Sequence, residues 1–330
     1  MSKQETNILK GIALLMLIMV HVNAWPLNLF VKIEGYSLWS LIGGICHPVA
    51  FFLMLSGYGL RYVYENGDRH HYGRIIKVFV HYWVIMLLFV CIGAIKIGPN
   101  IYPGDVAKII YNITSFHTSY NYECWFLFPF AILSLSYPLI FKIHDRMGVI
   151  FIFVACLLYF GSGYIISHFS LIYKTAPHGL YNLIQIFYLL FSFAIGASFK
   201  KYRIVEKVKM MSRKKVLKLF AYIMILLMMF EGMIIKTTAF GCFEAFILFL
   251  LLLIIIQGRQ YKVLKLIGKH SMNIWMIHTY FLHYIFHEEI FELRYTVLIF
   301  MATLCLSLLT SYAINIITAK IDKQIYKQNI

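Results

Sequence analysis

The sequence carries a histidine inside its first long apolar segment. His21 follows the run from Ile8 to Val20, in which Lys10 is the one charged residue. An ionisable group inside a bilayer is costly and usually functional, and imidazole exchanges a proton readily near neutral pH. His21 could therefore take a proton in catalysis or in coupled transport. A lone membrane histidine could also simply satisfy a hydrogen bond between helices.

The spacing between Lys10 and His21 sets a scale of depth. The two residues are eleven positions apart. On an α-helix this separation places the imidazole about 16 Å deeper than the ammonium group. The cation can therefore lie at the inner surface while the imidazole lies past the middle of the membrane.

A second histidine lies at a matching position late in the chain. His278 follows Gly268 by ten residues, which is about 15 Å along a helix. If both segments start at the inner surface, His21 and His278 reach similar depths on different helices. This predicts a shared cavity, although the sequence does not show whether the two side chains face each other.

Three other features flank or interrupt apolar segments. Ser56-Gly57 breaks one near its middle, and small residues there also let helices approach closely. Glu123 and Trp125 open the fourth segment, where an exposed acid and an interfacial aromatic anchor are the simpler interpretations. Between the second and third segments lies a basic cluster, formed by Arg61, Arg69, His70, His71, Arg74 and Lys77.

These residues must be positioned by membrane-spanning elements. Of the 330 residues, 61% are hydrophobic and 13% are charged, against about 25% charged in soluble domains. Continuous apolar runs of about 20 residues favour helices over a barrel. We predict an all-α, polytopic membrane protein with about ten transmembrane helices. They span residues 8–27, 38–60, 75–95, 123–141, 149–168, 180–199, 216–236, 239–257, 266–286 and 295–318.

The distribution of charge predicts the orientation of these helices. The net charge is +16, which in a soluble protein would suggest nucleic acid as a partner. With both termini in the cytoplasm, 24 of the 30 basic residues fall on inner segments, as the positive-inside rule requires. We therefore expect a lipid bilayer and no nucleic acid as the partner. The six outer basic residues are Lys32, Lys96, Lys108, Lys174, Lys236 and Arg294.

Several common chemistries lack their sequence signatures. The six cysteines show no Cys-x-x-Cys spacing, so we interpret them as packing thiols and expect no metal. No nucleotide-binding glycine loop, His-Glu-x-x-His or Gly-x-Ser-x-Gly motif is present.

Together, the features resemble the acyltransferase-3 family of integral membrane acyltransferases. Many members have arginine where this chain has Lys10, and lysine keeps the charge but loses the bidentate fork. The residues that carry the resemblance are Leu9 to Ala13 with His21, Phe51-Phe52 with Ser56-Gly57-Tyr58, the Arg74 region, Trp125-Phe126-Leu127, and Gly268-Lys269-x-Ser271 ending in His278.

The resemblance implies a single integral membrane acyltransferase domain over residues 1–330, with acetyl-CoA as acyl donor. It implies His21 as general base, with Glu123 as a weaker catalytic candidate that could orient an imidazole. The acceptor would be a hydroxyl of a cell-envelope polysaccharide or lipid-linked sugar. Donor phosphates would be bound by Lys10, Arg61, Arg74 and Lys77, and the substrates by Trp125, His278 and Ser56.

Other functions stay open at this point. One is acylation of a small metabolite or lipid, and another is a multi-span transporter or exporter of a metabolite or glycan precursor. Transporters often show broken helices at symmetry-related positions, and we find no such pair. A third possible function is that of a catalytically inactive partner in glycan assembly, and the presence of His21 argues against it. We expect a multi-pass protein of a bacterial plasma or inner membrane, which could associate with itself or with a glycan-assembly partner.

Overall fold

The computed structural model describes residues 1–23, 32–33, 36–37, 43–67, 72–169, 177–212, 214–234 and 239–327. Within these ranges the chain is all-α apart from one antiparallel pair of two-residue strands, β1 (Lys32–Ile33) and β2 (Tyr36–Ser37). The helices are α1 (Lys3–Asn23), α2 (Pro48–Glu65), α3 (Tyr72–Lys96), α4 (Val106–Ile113), α5 (Leu127–Leu135), α6 (Tyr137–Met147), α7 (Val149–His168), α8 (His178–Lys201), α9 (Ile204–Met211), α10 (Lys215–Ile234), α11 (Gly241–Ile256), α12 (Lys262–Thr279), α13 (His287–Phe291) and α14 (Thr296–Lys327).

Every segment predicted to span the membrane overlaps one or more of these helices. In the described ranges, five helices are long and apolar enough to cross a membrane, or six if one bent pair counts as a single span. They are α1, α3, α7, α8 and α14. Helix α11 is apolar but has 16 residues, fewer than the roughly 20 that a bilayer requires. The total of ten spans and the cytoplasmic termini remain predictions.

The fourth predicted span, 123–141, is not one straight helix. A 3₁₀ turn (Tyr122–Phe126) leads into α5, and the chain bends by 61° between Leu135 and Tyr137 before α6 begins. Pro138 lies in the first turn of α6. A proline has no N–H to bond to the carbonyl four residues earlier, and its ring clashes with that carbonyl, which explains why α5 does not continue into α6.

The second predicted span, 38–60, contains a turn at residues 44–45. Residues 38–42 lie outside the described ranges, and α2 starts at Pro48. Proline is favoured in the first helical turn because its N–H would have no partner there. Ser56 lies near the middle of α2.

Two glycines bring the backbones of α1 and α12 into direct contact. A Cβ added at Gly268 would overlap the carbonyl oxygen of Asn7, and one added at Gly11 would overlap that of Leu264. Each candidate histidine lies ten residues beyond the glycine on its own helix. The two helices run parallel from this crossing, so both histidines arrive at the same height, about 15 Å further on.

A second glycine crossing fixes α2 against α8. A Cβ at Gly57 would overlap the carbonyl oxygen of Phe193, and one at Gly196 would overlap that of Met54. The close helix approach expected at Ser56-Gly57 is therefore confirmed. It holds α2 in place beside α1, with Ser56 turned toward the cavity described below.

Candidate active site

His21 and His278 are hydrogen-bonded to each other. The His21 Nδ1 atom lies 2.7 Å from the His278 Nε2 atom, and the ring centroids are 4.9 Å apart. His278 is fully buried, whereas His21 is partly exposed. The two rings therefore lie at the same height on α1 and α12 and face each other, while their depth in a membrane stays a prediction.

The backbone around His278 determines which ring nitrogens carry protons. His278 Nδ1 lies 2.8 Å from the carbonyl oxygen of Trp275 and 3.1 Å from that of Ile274. Carbonyl oxygens can only accept, so Nδ1 is the protonated nitrogen of a neutral His278 and its Nε2 is an acceptor. His21 must then donate through Nδ1–H. A neutral His21 is left with a lone pair on Nε2, the arrangement that a general base requires.

A third histidine, absent from the sequence-based candidates, lies beside this pair. The rings of His283 and His21 meet edge to face with centroids 5.7 Å apart. On an α-helix, His278 and His283 would be separated by about 140° around the axis. A π-helical turn over Tyr280–Tyr284 follows α12, and its wider i to i+5 bonding brings the two side chains closer to one face. In the described ranges, no group of three His, Cys, Asp or Glu residues could hold a metal ion.

A cavity of about 160 Å³ lies between the helices that carry the two histidines, and neither His21 nor His278 is among its lining residues. Its polar lining, which we call the anion end, consists of Lys10, Ser56, Arg74, Lys77 and Ser271. The remaining lining residues are Leu17, Val49, Phe52, Leu55, Val78, Phe126, Phe130, Met272 and Trp275. Leu17 lies about one helical turn before His21, and Trp275 lies about one turn before His278. Together with Val49 and Phe126, these two residues line the part of the cavity that we call the histidine end.

The anion end has the properties of an anion-binding site. Arg74 is exposed and reaches the α2 backbone near Gly59. Lys10 makes no hydrogen bond or ion pair to any described residue. The Ser56 hydroxyl is 2% exposed and also has no partner among the described residues. A buried, unpaired hydroxyl is costly, and an anion here would accept its hydrogen bond.

Comparison with known proteins identifies the family. The acyltransferase-3 family model, described as an acyltransferase domain, matches residues 4–316. The chain belongs to the acyltransferase-3 family. The matched range contains His21, the whole cavity and His278, so the family decides for an acyltransferase over a transporter. Searches of curated proteins and of solved structures gave no significant match.

The acyltransferase holds Lys77 through a residue that the sequence did not single out. Lys77 Nζ lies 2.5 Å from Asp322 Oδ2, and His81 Nε2 lies 3.2 Å from Asp322 Oδ1. His81 is buried. Asp322 thus compensates charge at one edge of the anion end, so Lys77 contributes less net positive charge there than its position in the cavity suggests.

Arg61 does not line the cavity. Its guanidinium is buried, bonded to Glu65 at 2.8 Å and to Asp145 at 2.7 Å, and these acids also pair with Lys200 and Lys201. This is an ion-pair network that ties α2 to α6 and α8. Arg69, His70 and His71 lie outside the described ranges.

Glu123 and Trp125 lie at the start of the broken fourth segment. The Tyr284 hydroxyl donates to Glu123 Oε2 at 2.6 Å and accepts the backbone N–H of Tyr122 at 2.8 Å. Glu123 makes no bond to His21 or His278 among the described contacts, so it does not complete a triad with them. Trp125 packs edge-on against Phe126 and is partly exposed outside the cavity.

Two histidines outside the helices proposed to cross the membrane stack on each other. The rings of His117 and His178 lie 4.0 Å apart and nearly parallel, at 17°. Burial, and next the adjacent His178 ring, lower the pKa of His117 below its usual 6.5. The stacked pair joins the connection after α4 to the start of α8, and this contact is most stable when the His117 ring is neutral.

Proposed function

We propose that this acyltransferase moves an acyl group, in the simplest case acetyl, from cytoplasmic acyl-CoA to a hydroxyl of a cell-envelope glycan or lipid-linked sugar. One observation supports the proposal most directly. The hydrogen bond to His278 leaves a lone pair on His21 Nε2, and His21 lies one helical turn beyond Leu17, which lines a cavity with a cationic end. A neutral imidazole held in one tautomer is suited to remove a hydroxyl proton.

The reaction follows from that arrangement. His21 Nε2 takes the acceptor's hydroxyl proton while the oxygen attacks the thioester carbonyl carbon. The tetrahedral intermediate collapses by breaking the C–S bond, and the proton on His21 passes to the sulfur, giving an ester and free CoA. His278 orients His21 and, through the Nδ1–H bond, stabilises the imidazolium that forms between these steps.

The anion end supports binding of the donor. Acyl-CoA is a polyanion, and charge-assisted hydrogen bonds to phosphate are the strong class. Lys10, Arg74 and Lys77 supply cations, and Ser56 supplies a hydroxyl. The thioester would then reach toward the histidine end. Arg61 is left out of this set because its charge is compensated by Glu65 and Asp145.

The acceptor side of the proposal rests on the outer residues. We propose that the acceptor approaches past Trp125 and the Glu123–Tyr284 pair, in a protein with ten spans and both termini in the cytoplasm. Membrane association is supported by the family and the apolar helices. Placement in the plasma or inner membrane, and any assembly with glycan-forming partners, belong to this proposal.

The decisive experiment uses membranes that contain the full chain, labelled acetyl-CoA and envelope glycan. The wild type should transfer label, and His21→Ala should transfer about 10²–10⁴-fold less, the usual contribution of a general base. Protein level and thermal stability should be unchanged, because His21 is a partly exposed side chain. Arg61→Ala is the matched control for charge: it should lower stability without changing the KM for the donor.

Two results would overturn the proposal. One is an active His21→Ala variant at normal protein level. The other is a folded wild type that neither transfers acetyl groups nor hydrolyses acetyl-CoA with any envelope glycan or lipid-linked sugar supplied.

A further inference from the structure

Attack on a thioester creates negative charge on the carbonyl oxygen. Enzymes of acyl transfer stabilise that oxygen with hydrogen-bond donors fixed in place before the reaction, in a site with little water. Near His21 Nε2 the proposed reaction therefore needs a donor beside the carbonyl. Neither His21 nor His278 can supply it, because their N–H groups are already used.

The cavity has one suitable donor at its histidine end. Leu17, Val49 and Phe126 are apolar. Of the polar lining residues, Lys10 precedes Leu17 by seven residues on α1 and Ser271 precedes Trp275 by four on α12, so both lie further from the histidines along their helices. Trp275 alone among the lining residues of the histidine end carries an N–H, and this indole N–H has no acceptor in the described part of the chain. It is therefore available to a bound substrate.

The geometry around Trp275 holds the indole in position. The ring packs edge-on against Phe126 with centroids 5.4 Å apart. The backbone carbonyl of Trp275 accepts the Nδ1–H of His278 at 2.8 Å. The same helical turn thus sets the tautomer of the histidine pair and carries the free donor, so base and donor keep a fixed relation.

We infer that Trp275 is a catalytic residue whose indole N–H donates to the thioester carbonyl oxygen, an inference that rests on the proposed acyl transfer. The bond strengthens as the carbonyl becomes an oxyanion and weakens again when the C–S bond breaks. The indole keeps its proton throughout. The acceptor's proton moves to His21 and then to the sulfur.

The first test is Trp275→Phe, which keeps an aromatic ring and removes the N–H. The expected result is a fall in kcat of about 10²–10³-fold, the cost of losing one oxyanion donor. The donor KM should change by less than about threefold, because the anion end is intact. Trp83→Phe is the matched control and should keep kcat, since the Trp83 indole N–H already donates to the Ile113 carbonyl at 2.8 Å.

A second measurement separates hydrogen bonding from packing. Acetyl-CoA labelled with carbon-13 at the carbonyl is bound to the His21→Ala protein, and its carbonyl stretch is recorded by isotope-edited infrared spectroscopy. Trp275 should lower that frequency relative to the free donor, and Trp275→Phe in the same background should abolish the shift. If Trp275→Phe folds poorly, replacement of the indole by its benzothiophene isostere keeps the shape and removes the N–H.

The outcomes distinguish this inference from the proposed function. A wild type without transfer or hydrolysis overturns the proposed function and, with it, the substrate assumed here. An active wild type, with unchanged kcat in Trp275→Phe or the isostere and no infrared shift, overturns the role of Trp275 and leaves His21 as base.

Discussion

The contact of Gly11 and Gly268 with the opposite backbone, where α1 and α12 cross, should control catalysis at the histidines, which lie ten residues further along each helix. Gly268→Ala adds a Cβ where the carbonyl oxygen of Asn7 already lies. Ordinary Cβ contacts lie at 3.4–4 Å, so the two helices must separate or rotate by on the order of 1 Å. That displacement is carried along two stiff, parallel helices to His21 and His278.

The magnitude follows from the length of the histidine bond. A 2.7 Å hydrogen bond that lengthens by about 1 Å passes the limit at which such bonds form. His21 then loses its fixed tautomer, and a misplacement of this size costs about 10²-fold in rate. We expect kcat for acetyl transfer to fall about 10²-fold in Gly268→Ala. It is measured with labelled acetyl-CoA at saturating donor, alongside the thermal unfolding midpoint.

Gly161→Ala is the matched control, because a Cβ at Gly161 meets nothing within 4 Å. Alanine is favoured over glycine inside a helix by up to about 1 kcal/mol, so this variant should be as stable as the wild type or more stable, with unchanged kcat. If Gly268→Ala kept wild-type kcat and an unchanged midpoint, the crossing would not position the histidines and our reasoning would be refuted.

Three further predictions concern the binding of acetyl-CoA, the pH dependence of stability at His117 and the membrane topology. Arg74→Ala should raise the KM for acetyl-CoA about tenfold or more, since a hydrogen bond to a charged group contributes about 1.5–3 kcal/mol; an unchanged donor KM would remove Arg74 from the site. Burial and the neighbouring His178 lower the pKa of His117, so the folded protein binds fewer protons at this residue than the unfolded chain does. The contribution of neutral His117 to the free energy of unfolding is therefore fully present above about pH 6.5 and decreases below it. His117→Gln should flatten the fall of the unfolding midpoint between about pH 7 and pH 5, and an unaltered slope would contradict this. In intact cells a cysteine replacing Asp105 should react with an impermeant thiol reagent and one replacing Lys209 should not; the reverse pattern would invert the orientation.

Most of the helical framework could be predicted from the sequence, because long apolar runs are a local property. The segment 149–168 coincides with α7, and 75–95 lies inside α3. The errors arise where proline chemistry competes with hydrophobicity. Pro138 breaks the fourth segment into α5 and α6, and a turn at residues 44–45 precedes Pro48, where α2 starts. Hydropathy alone cannot show the break at Pro138, since both sides of it are apolar.

The anion end was predicted in part. Lys10, Ser56, Arg74 and Lys77 do line one cavity, and all four stood out in the sequence as charged or small residues in or beside apolar segments. Arg61 has the same residue type and neighbourhood as Arg74, yet it pairs with Asp145, which is 84 positions away. Ion-pair partners that distant are decided by packing.

The sequence by itself determined the matching height of the two histidines along their helices, because the rise per residue of a helix is constant and both follow a glycine by ten positions. Whether the rings face each other depends on rotation about each helix axis, and only the contact of Gly11 and Gly268 with the opposite backbone decided that. The tertiary structure also brought His283 to His21 through a π-helical turn and placed the Trp275 indole in the cavity lining, with no acceptor among the described residues. The rotation of a helix about its axis, the hydrogen bonds of its side chains and the choice of ion-pair partners depend on contacts between segments. The sequence of a single segment therefore could not show them.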